Sequence, residues 1–411
     1  MRPLLPVLAM TTALLLSATP TLGATPDARF GDGGVSAFYD WSGPIQRPGK
    51  LLRQEPLPPE LVLSEAGQGV RILYTSTDGI GGAERVVVSG AYFTPKGKPP
   101  KGGWPLVAWA HGTVGLADVC APSWAGRSAR DTDYLNRWLS EGFAVVASDY
   151  QGIGTAGPHG YMMTRPVAYS VLDSIRAVVA SQRGLSRKVI LVGQSQGASA
   201  AFTAAGFAAT YAPELDIRGV VSTGTPYVSA KKIDATKTYS DGSRVDPTIA
   251  YAFYLTLTLQ QLRPDIAASD IYTDKAMPLL ESARSMCIRP LVQAVVDAGL
   301  TSDNAFKGSQ QAQAFMPFLP HFVYPTLKLH MPIFMGAGTA DKDVAPSGQM
   351  QLAREACDAG TVVEAHLYEG LDHSGTVNAS LKDSLPFVRK VLHGEPIAPR
   401  CAPQSGADVA P

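Results

Sequence analysis

The run Lys188-Val189-Ile190-Leu191-Val192-Gly193-Gln194-Ser195-Gln196-Gly197, followed by an Ala-rich stretch from Ala198 to Thr210, decides the fold. Lys188 to Val192 reads as a buried strand and Ala198 to Thr210 as a helix. Between them stands G-x-S-x-G, a tight turn that carries a serine among small residues. The two glycines permit strained dihedrals and a close approach of helix to strand. In this frame Ser195 projects its hydroxyl above a sheet. It stands at a helix N-terminus, whose backbone N–H groups favour developing negative charge. Ser195 is therefore the candidate nucleophile.

Similar apolar runs recur on both sides of this segment. Leu106 to Ala110, Ala144 to Ala147, Val220-Val221, Ile333 to Met335 and Val362 to Leu367 all read as strands covered on both faces. Helical patterns alternate with them over Asp131 to Ser140, Pro166 to Arg183, Gln349 to Ala359 and Val377 to Leu392. The alternation predicts an α/β fold with a mainly parallel sheet and functional loops at the strands' C-terminal ends. Arg71 to Ser76 and Arg85 to Thr94, joined by the Gly-rich turn at 78–82, predict an antiparallel start.

Residues 25–69 are Pro- and Gly-rich and read as an N-terminal arm. Residues 70–223 and 331–401 form the two parts of the core, and 402–411 a tail. Residues 224–330 break the alternation and predict a helical cap, with Phe253, Tyr254, Phe315, Phe318 and Phe322 as candidates to face a substrate.

Residues 1–24 begin with Arg2, continue through an apolar run and end in small residues, the pattern of a secretory signal peptide. The expected location is secreted or periplasmic. Lys plus Arg and Asp plus Glu each number 35, a balance that gives no support for nucleic-acid binding. Cys120, Cys287, Cys357 and Cys401 contain no close C-x-x-C pair, so zinc or dithiol chemistry is disfavoured. An even count in an exported chain points to two disulfides, with three pairings open.

A serine nucleophile needs a base within hydrogen-bond reach and an acid to orient that base. In this fold type the chain order is Ser, acid, His. Asp341 follows the Ile333 strand in a Gly-rich loop and fits the acid position, with Asp343 as the fallback. His373 precedes the last helix and is the candidate base. His321, His330, His366 and His393 read as structural or surface residues. Candidate oxyanion donors are the Gln196 backbone N–H and Thr113, in the His111-Gly112-Thr113 loop. His111 reads as structural, and Asp149 as a brace for the loop after the Ala144 strand. Tyr150 reads equally as pocket lining or packing. Asp372 reads as a turn residue.

With His111-Gly112-Thr113, Asp149-Tyr150-Gln151-Gly152, Gly193 to Gly197, Gly338 to Asp341 and Asp372-His373-Ser374-Gly375 in place, the chain resembles the α/β-hydrolase superfamily. Within it, residues from about 70 to 393 resemble the secretory lipase family of fungal lipase A enzymes and bacterial exported esterases. The resemblance implies carboxylic-ester hydrolysis by a Ser–Asp–His triad without cofactor or metal. It implies a helical cap and the disulfides Cys120–Cys287 and Cys357–Cys401. The oxyanion loop differs from that of fungal members. The expected partner is a small-molecule or lipid ester, with transient contact of the cap at a lipid interface. A serine peptidase or acyltransferase on the same scaffold, and a non-catalytic binding protein, are the alternative readings.

Overall fold

Apolar strands buried on both faces need helices above and below, and the computed structural model shows that arrangement. It describes residues 33–82, 84–229 and 242–403. The expected signal peptide therefore lies outside the described residues. Nine strands form one sheet in the order β1-β2-β3-β5-β4-β6-β7-β8-β9. They are β1 Leu51–Pro56, β2 Ala66–Thr77, β3 Arg85–Pro95, β4 Trp104–Ala110, β5 Ala144–Ser148, β6 Leu185–Gln194, β7 Asp216–Thr223, β8 Ile333–Gly338 and β9 Val363–Tyr368. β1 to β3 pair antiparallel, and β3 is antiparallel to β5. From β5 through β4 to β9 every pairing is parallel.

Two expectations are corrected. The sheet starts earlier than Arg71, because Leu51–Pro56 in the presumed arm adds an edge strand to β2. Its Pro-flanked composition hid it, and prolines are tolerated at an edge. The last helical stretch is two helices, Gly375–Ala379 and Leu381–His393. They part at Ser380, whose hydroxyl bonds back to the Val377 carbonyl at 2.7 Å.

The helices 164–181 and 196–211 pack on one face of the sheet, whose core includes Val146, Leu172, Ile175, Leu191 and Phe202. The helices 129–140 and 381–393 pack on the other, around Trp109, Trp138, Val192 and Phe387. The strand order reverses on either side of β4, so the loops after β4, β5 and β6 converge at the sheet's C-terminal edge. Such a switch point opens a crevice for ligands.

The segment between β7 and β8 carries helices, among them Ile249–Leu262 and Ile288–Asp297, around a separate core of Phe253, Tyr254, Tyr272 and Leu291. The disulfide Cys120–Cys287 ties this segment to the loop after β4, and Cys357–Cys401 ties the 346–358 helix to the segment that follows the 381–393 helix. No helix among the described residues is long and apolar enough to cross a membrane.

Candidate active site

β6 ends at Gln194, and the 196–211 helix begins two residues later, so Ser195 absorbs the whole reversal. It sits at φ 57° and ψ −124°, a conformation that non-glycine residues rarely hold unless their surroundings impose it. The imposing contacts are visible. Ser195 N donates to Thr223 O at 2.9 Å, which pins the turn to β7. A Cβ on Gly193 would fall 2.0 Å from Gly197 O, and one on Gly197 would fall 1.9 Å from Ala110 O. The two glycines therefore serve close approach of helix to strand, and the strain resides in the serine.

Asp341 lies in the loop after β8 with its carboxylate buried. Oδ1 accepts from the backbone N–H groups of Asp343 at 3.0 Å and Val344 at 2.9 Å. Oδ2 accepts from Gln349 Nε2 at 3.0 Å and from His373 Nδ1 at 2.7 Å. Four N–H donors fix the carboxylate's position and aim. His373 stands in the loop after β9, where Asp372 Oδ1 accepts from Ser374 N and Gly375 N and closes the turn.

Gly224, just past β7, packs flat on the imidazole. A Cβ there would lie 2.6 Å from His373 Cε1, and its φ is +63°. Gly224→Ala should therefore cost about 1–2 kcal/mol of stability through backbone strain. It should also lower kcat about 100-fold by displacing the ring, since misplacement by 1 Å has that effect. Kinetics beside a urea melt would separate the two losses.

His373 Nε2 does not bond to Ser195. It lies 2.9 Å from Gln194 Nε2, while Gln194 Oε1 accepts from Arg130 Nη2 at 2.9 Å.

Asp343 lies beside this pair. Partial burial raises its carboxyl above the usual range, and the adjacent His373 opposes that shift. Asp341, Asp343 and His373 are the only described residues clustered closely enough to suggest a cation site. Both Asp341 oxygens are already committed to N–H donors, His373 Nδ1 among them.

On the other side, Thr113 Oγ1 and Tyr161 OH are 2.9 Å apart, and both residues border Ser195 in one pocket. Asp149 accepts from Ser123 N at 3.0 Å and from the Ser89 hydroxyl at 2.7 Å, and also bonds the Ser123 hydroxyl. Tyr150 is buried at φ 71° and donates to His111 O at 2.8 Å, a packing role. Burial lowers the His111 pKa.

His159, unremarked in the sequence, is fully buried. Its Nδ1 donates to Gln151 O at 2.8 Å, leaving Nε2 3.2 Å from Gln196 Nε2. Burial pushes its pKa down to about 4. The unfolded imidazole titrates near 6.5, so between those values the unfolded chain binds a proton that the folded chain refuses. Stability then falls as pH drops through that window. Wild type should lose on the order of 2 kcal/mol more than His159→Gln between about pH 7 and about pH 5. Equal losses in urea unfolding would show that His159 contributes nothing.

Two pockets meet at Ser195. The smaller, about 230 Å³, is mainly apolar, with Tyr161, Met162, Pro226, Leu255 and Val344. The larger, about 610 Å³, includes His373, Gln194, Arg127, Arg130, Asp131 and Arg289. The cap's contribution to these walls includes Tyr251, Leu255, Ile288 and Val292. Phe253, Tyr254, Phe315, Phe318 and Phe322, the aromatic residues singled out in the sequence, are absent from both walls: Phe253 and Tyr254 pack in the core between β7 and β8, and Phe315, Phe318 and Phe322 in a cluster with Met163 and Leu259. Gly224, Gln194 and Tyr161 also escaped sequence reasoning. The only available signal was the glycine just after an apolar strand, at the sheet edge where loops converge.

Sheet order, elbow and helical layers define an α/β-hydrolase fold. Residues 127–398 match the family model described as secretory lipase, and the chain belongs to that family. It is 27% identical to lipase A of Moesziomyces aphidis over 279 residues, which is 64% of this chain and 58% of that protein. It is 24% identical to a secreted triacylglycerol lipase of Malassezia furfur, over 65% of this chain and 51% of that protein. The matches thus span between half and three fifths of these relatives' length. The structure of Candida antarctica lipase A in its closed state superposes with a TM-score of 0.70 at 22% identity, covering 87% of this chain and 85% of that one.

Proposed function

We propose that this chain hydrolyses carboxylic esters through an acyl-enzyme formed on Ser195. The observation that carries the reading is the 2.7 Å contact of His373 Nδ1 with a fully satisfied Asp341 carboxylate, beside a serine held in a strained turn. Asp341 keeps the proton on Nδ1, so Nε2 is the basic nitrogen. His373 takes the Ser195 proton as Oγ bonds to the ester carbon. Negative charge develops on the carbonyl oxygen, where the Gln196 N–H and Thr113 act as donors. His373 then returns the proton to the leaving alcohol as the C–O bond breaks. Water repeats the sequence on the acyl-enzyme, releasing acid and restoring Ser195.

The pocket walls support an orientation. The leaving oxygen must reach His373, which lines the larger cleft, so the alcohol lies there. The acyl chain then takes the smaller apolar pocket. Lipid-ester substrates accord with the triacylglycerol lipase named among the relatives. Among the described residues the exposed large apolar side chains, Val245, Val296 and Met316, all belong to the cap segment, which suits contact with a lipid interface. Export is the natural setting for the two disulfides.

The test compares p-nitrophenyl butyrate, octanoate and palmitate with aminoacyl anilides, and adds labelling by a p-nitrophenyl alkylphosphonate. Ester turnover with labelling of Ser195 is expected. Faster anilide turnover would favour a peptidase, and absence of labelling a non-catalytic protein.

A further inference from the structure

The basic nitrogen that the proposed chemistry requires is already occupied. His373 Nδ1 donates to Asp341, so Nε2 carries one in-plane lone pair. That lone pair faces Gln194 Nε2 at 2.9 Å. The amide's orientation is not free. Arg130 has only donors, and its Nη2 lies 2.9 Å from Gln194 Oε1, which assigns oxygen to the arginine side and NH₂ to the histidine side. The Ser195 hydroxyl makes no side-chain hydrogen bond to any described residue.

We propose that Gln194 is a latch on the base: its amide caps His373 Nε2 in the resting enzyme and must swing away before Ser195 can be deprotonated. The inference rests on the ester-hydrolase reading above.

Three features support a latch rather than a simple prop. An imidazole nitrogen with one lone pair cannot accept strongly from both Gln194 and Ser195. Once Nε2 is protonated, its N–H would point at an NH₂ group, donor against donor. Turning the amide over would relieve that clash, but it would set the NH₂ against Arg130, another donor. The Arg130–Gln194 pair therefore opposes the imidazolium on which acylation depends.

The surroundings hold the latch in place. Gln194 is buried, and a Cβ on Gly112 would fall 2.4 Å from its Oε1, so a side chain there would dislodge it. Arg130 is fixed in turn by Asp131 at 2.8 Å and by the Ser374 hydroxyl at 3.3 Å. Arg130 and Gln194 both line the alcohol-side cleft.

A positioning role and a latch predict opposite signs. If Gln194 merely steadies the ring, removing its amide slows the reaction. If it is a latch, removal speeds acylation by roughly threefold to tenfold, the equivalent of one net hydrogen bond. The measurement uses the full chain. It takes the second-order rate of Ser195 modification by the p-nitrophenyl alkylphosphonate, and kcat/KM for p-nitrophenyl butyrate. Gln194→Met is expected to exceed wild type in both; a folded variant that is equal or slower overturns the latch.

Should Gln194→Met not fold, Arg130→Leu carries the test, because it frees Oε1 and lets the amide turn. It too should react faster, and an equal or lower rate counts against the proposal. In the double variant the gain from Arg130→Leu should vanish, since it acts through Gln194; a gain that persists also overturns it. Failure of wild type to be labelled at Ser195 would defeat the ester-hydrolase reading itself. Labelling without acceleration in the variants defeats only the latch.

Discussion

Asp341→Asn is expected to lower kcat about 10⁴-fold while leaving the fold intact, and the hydrogen bonds around residue 341 say why. Two backbone N–H groups, from Asp343 and Val344, donate to Oδ1. An asparagine keeps its carbonyl oxygen there and has to place its NH₂ at the present Oδ2. That NH₂ then meets two donors, Gln349 Nε2 at 3.0 Å and the His373 Nδ1–H at 2.7 Å. Imidazole can yield by moving its proton to Nε2, which leaves Nδ1 to accept. In that tautomer the nitrogen facing the cleft carries a proton and cannot take one from Ser195. The loss should therefore appear in kcat more than in KM. Asp343→Asn is the control, because Asp343 contributes to Asp341 through its main-chain N–H. A large loss there and none at Asp341 would reassign the acid.

The second large effect is at the elbow. Ser195→Ala should reduce kcat by roughly 10⁵–10⁶-fold, leaving only what binding and oxyanion donors supply. Stability should shift by no more than about 0.5 kcal/mol. Among the described residues the hydroxyl has no hydrogen-bond partner to lose, and the strained φ of 57° is imposed by the turn, which alanine shares. Substantial residual turnover in a variant shown by mass to be pure would require another nucleophile. Phosphonate labelling would locate it.

The two variants probe different levels of the chain's organisation. Ser195 is positioned by local rules: an apolar strand, small residues where backbones cross, and a helix start. Those rules act over ten or so neighbouring residues, so they can be read in order. Asp341 and His373 were singled out by chain order and by their places after strands, and the structure sets them 2.7 Å apart. Proximity across 32 positions follows because β8 and β9 are parallel neighbours whose C-terminal ends open onto one edge.

Other features had no such local signature. Leu51–Pro56 is a strand only because β2 offers it a free edge. On the 249–262 helix Phe253 and Tyr254 turn inward while Tyr251 and Leu255 face the pocket, because the orientation of a helix apolar all round is decided by what it packs on.

From its own order of residues the chain determined the alternation of strands and helices, the strand–turn–helix elbow at Ser195, and which carboxylate and imidazole on later loops are candidates for an acid and a base. Hydrophobic period and turn chemistry are short-range, so sequence carries them. Tertiary structure alone decided that Gln194 caps His373, that Arg130 orients that amide, and that Gly224 must lack a side chain beneath the imidazole. Each of these depends on the meeting of loops separated by tens to hundreds of residues, where a one-ångström displacement changes which atoms can share a proton.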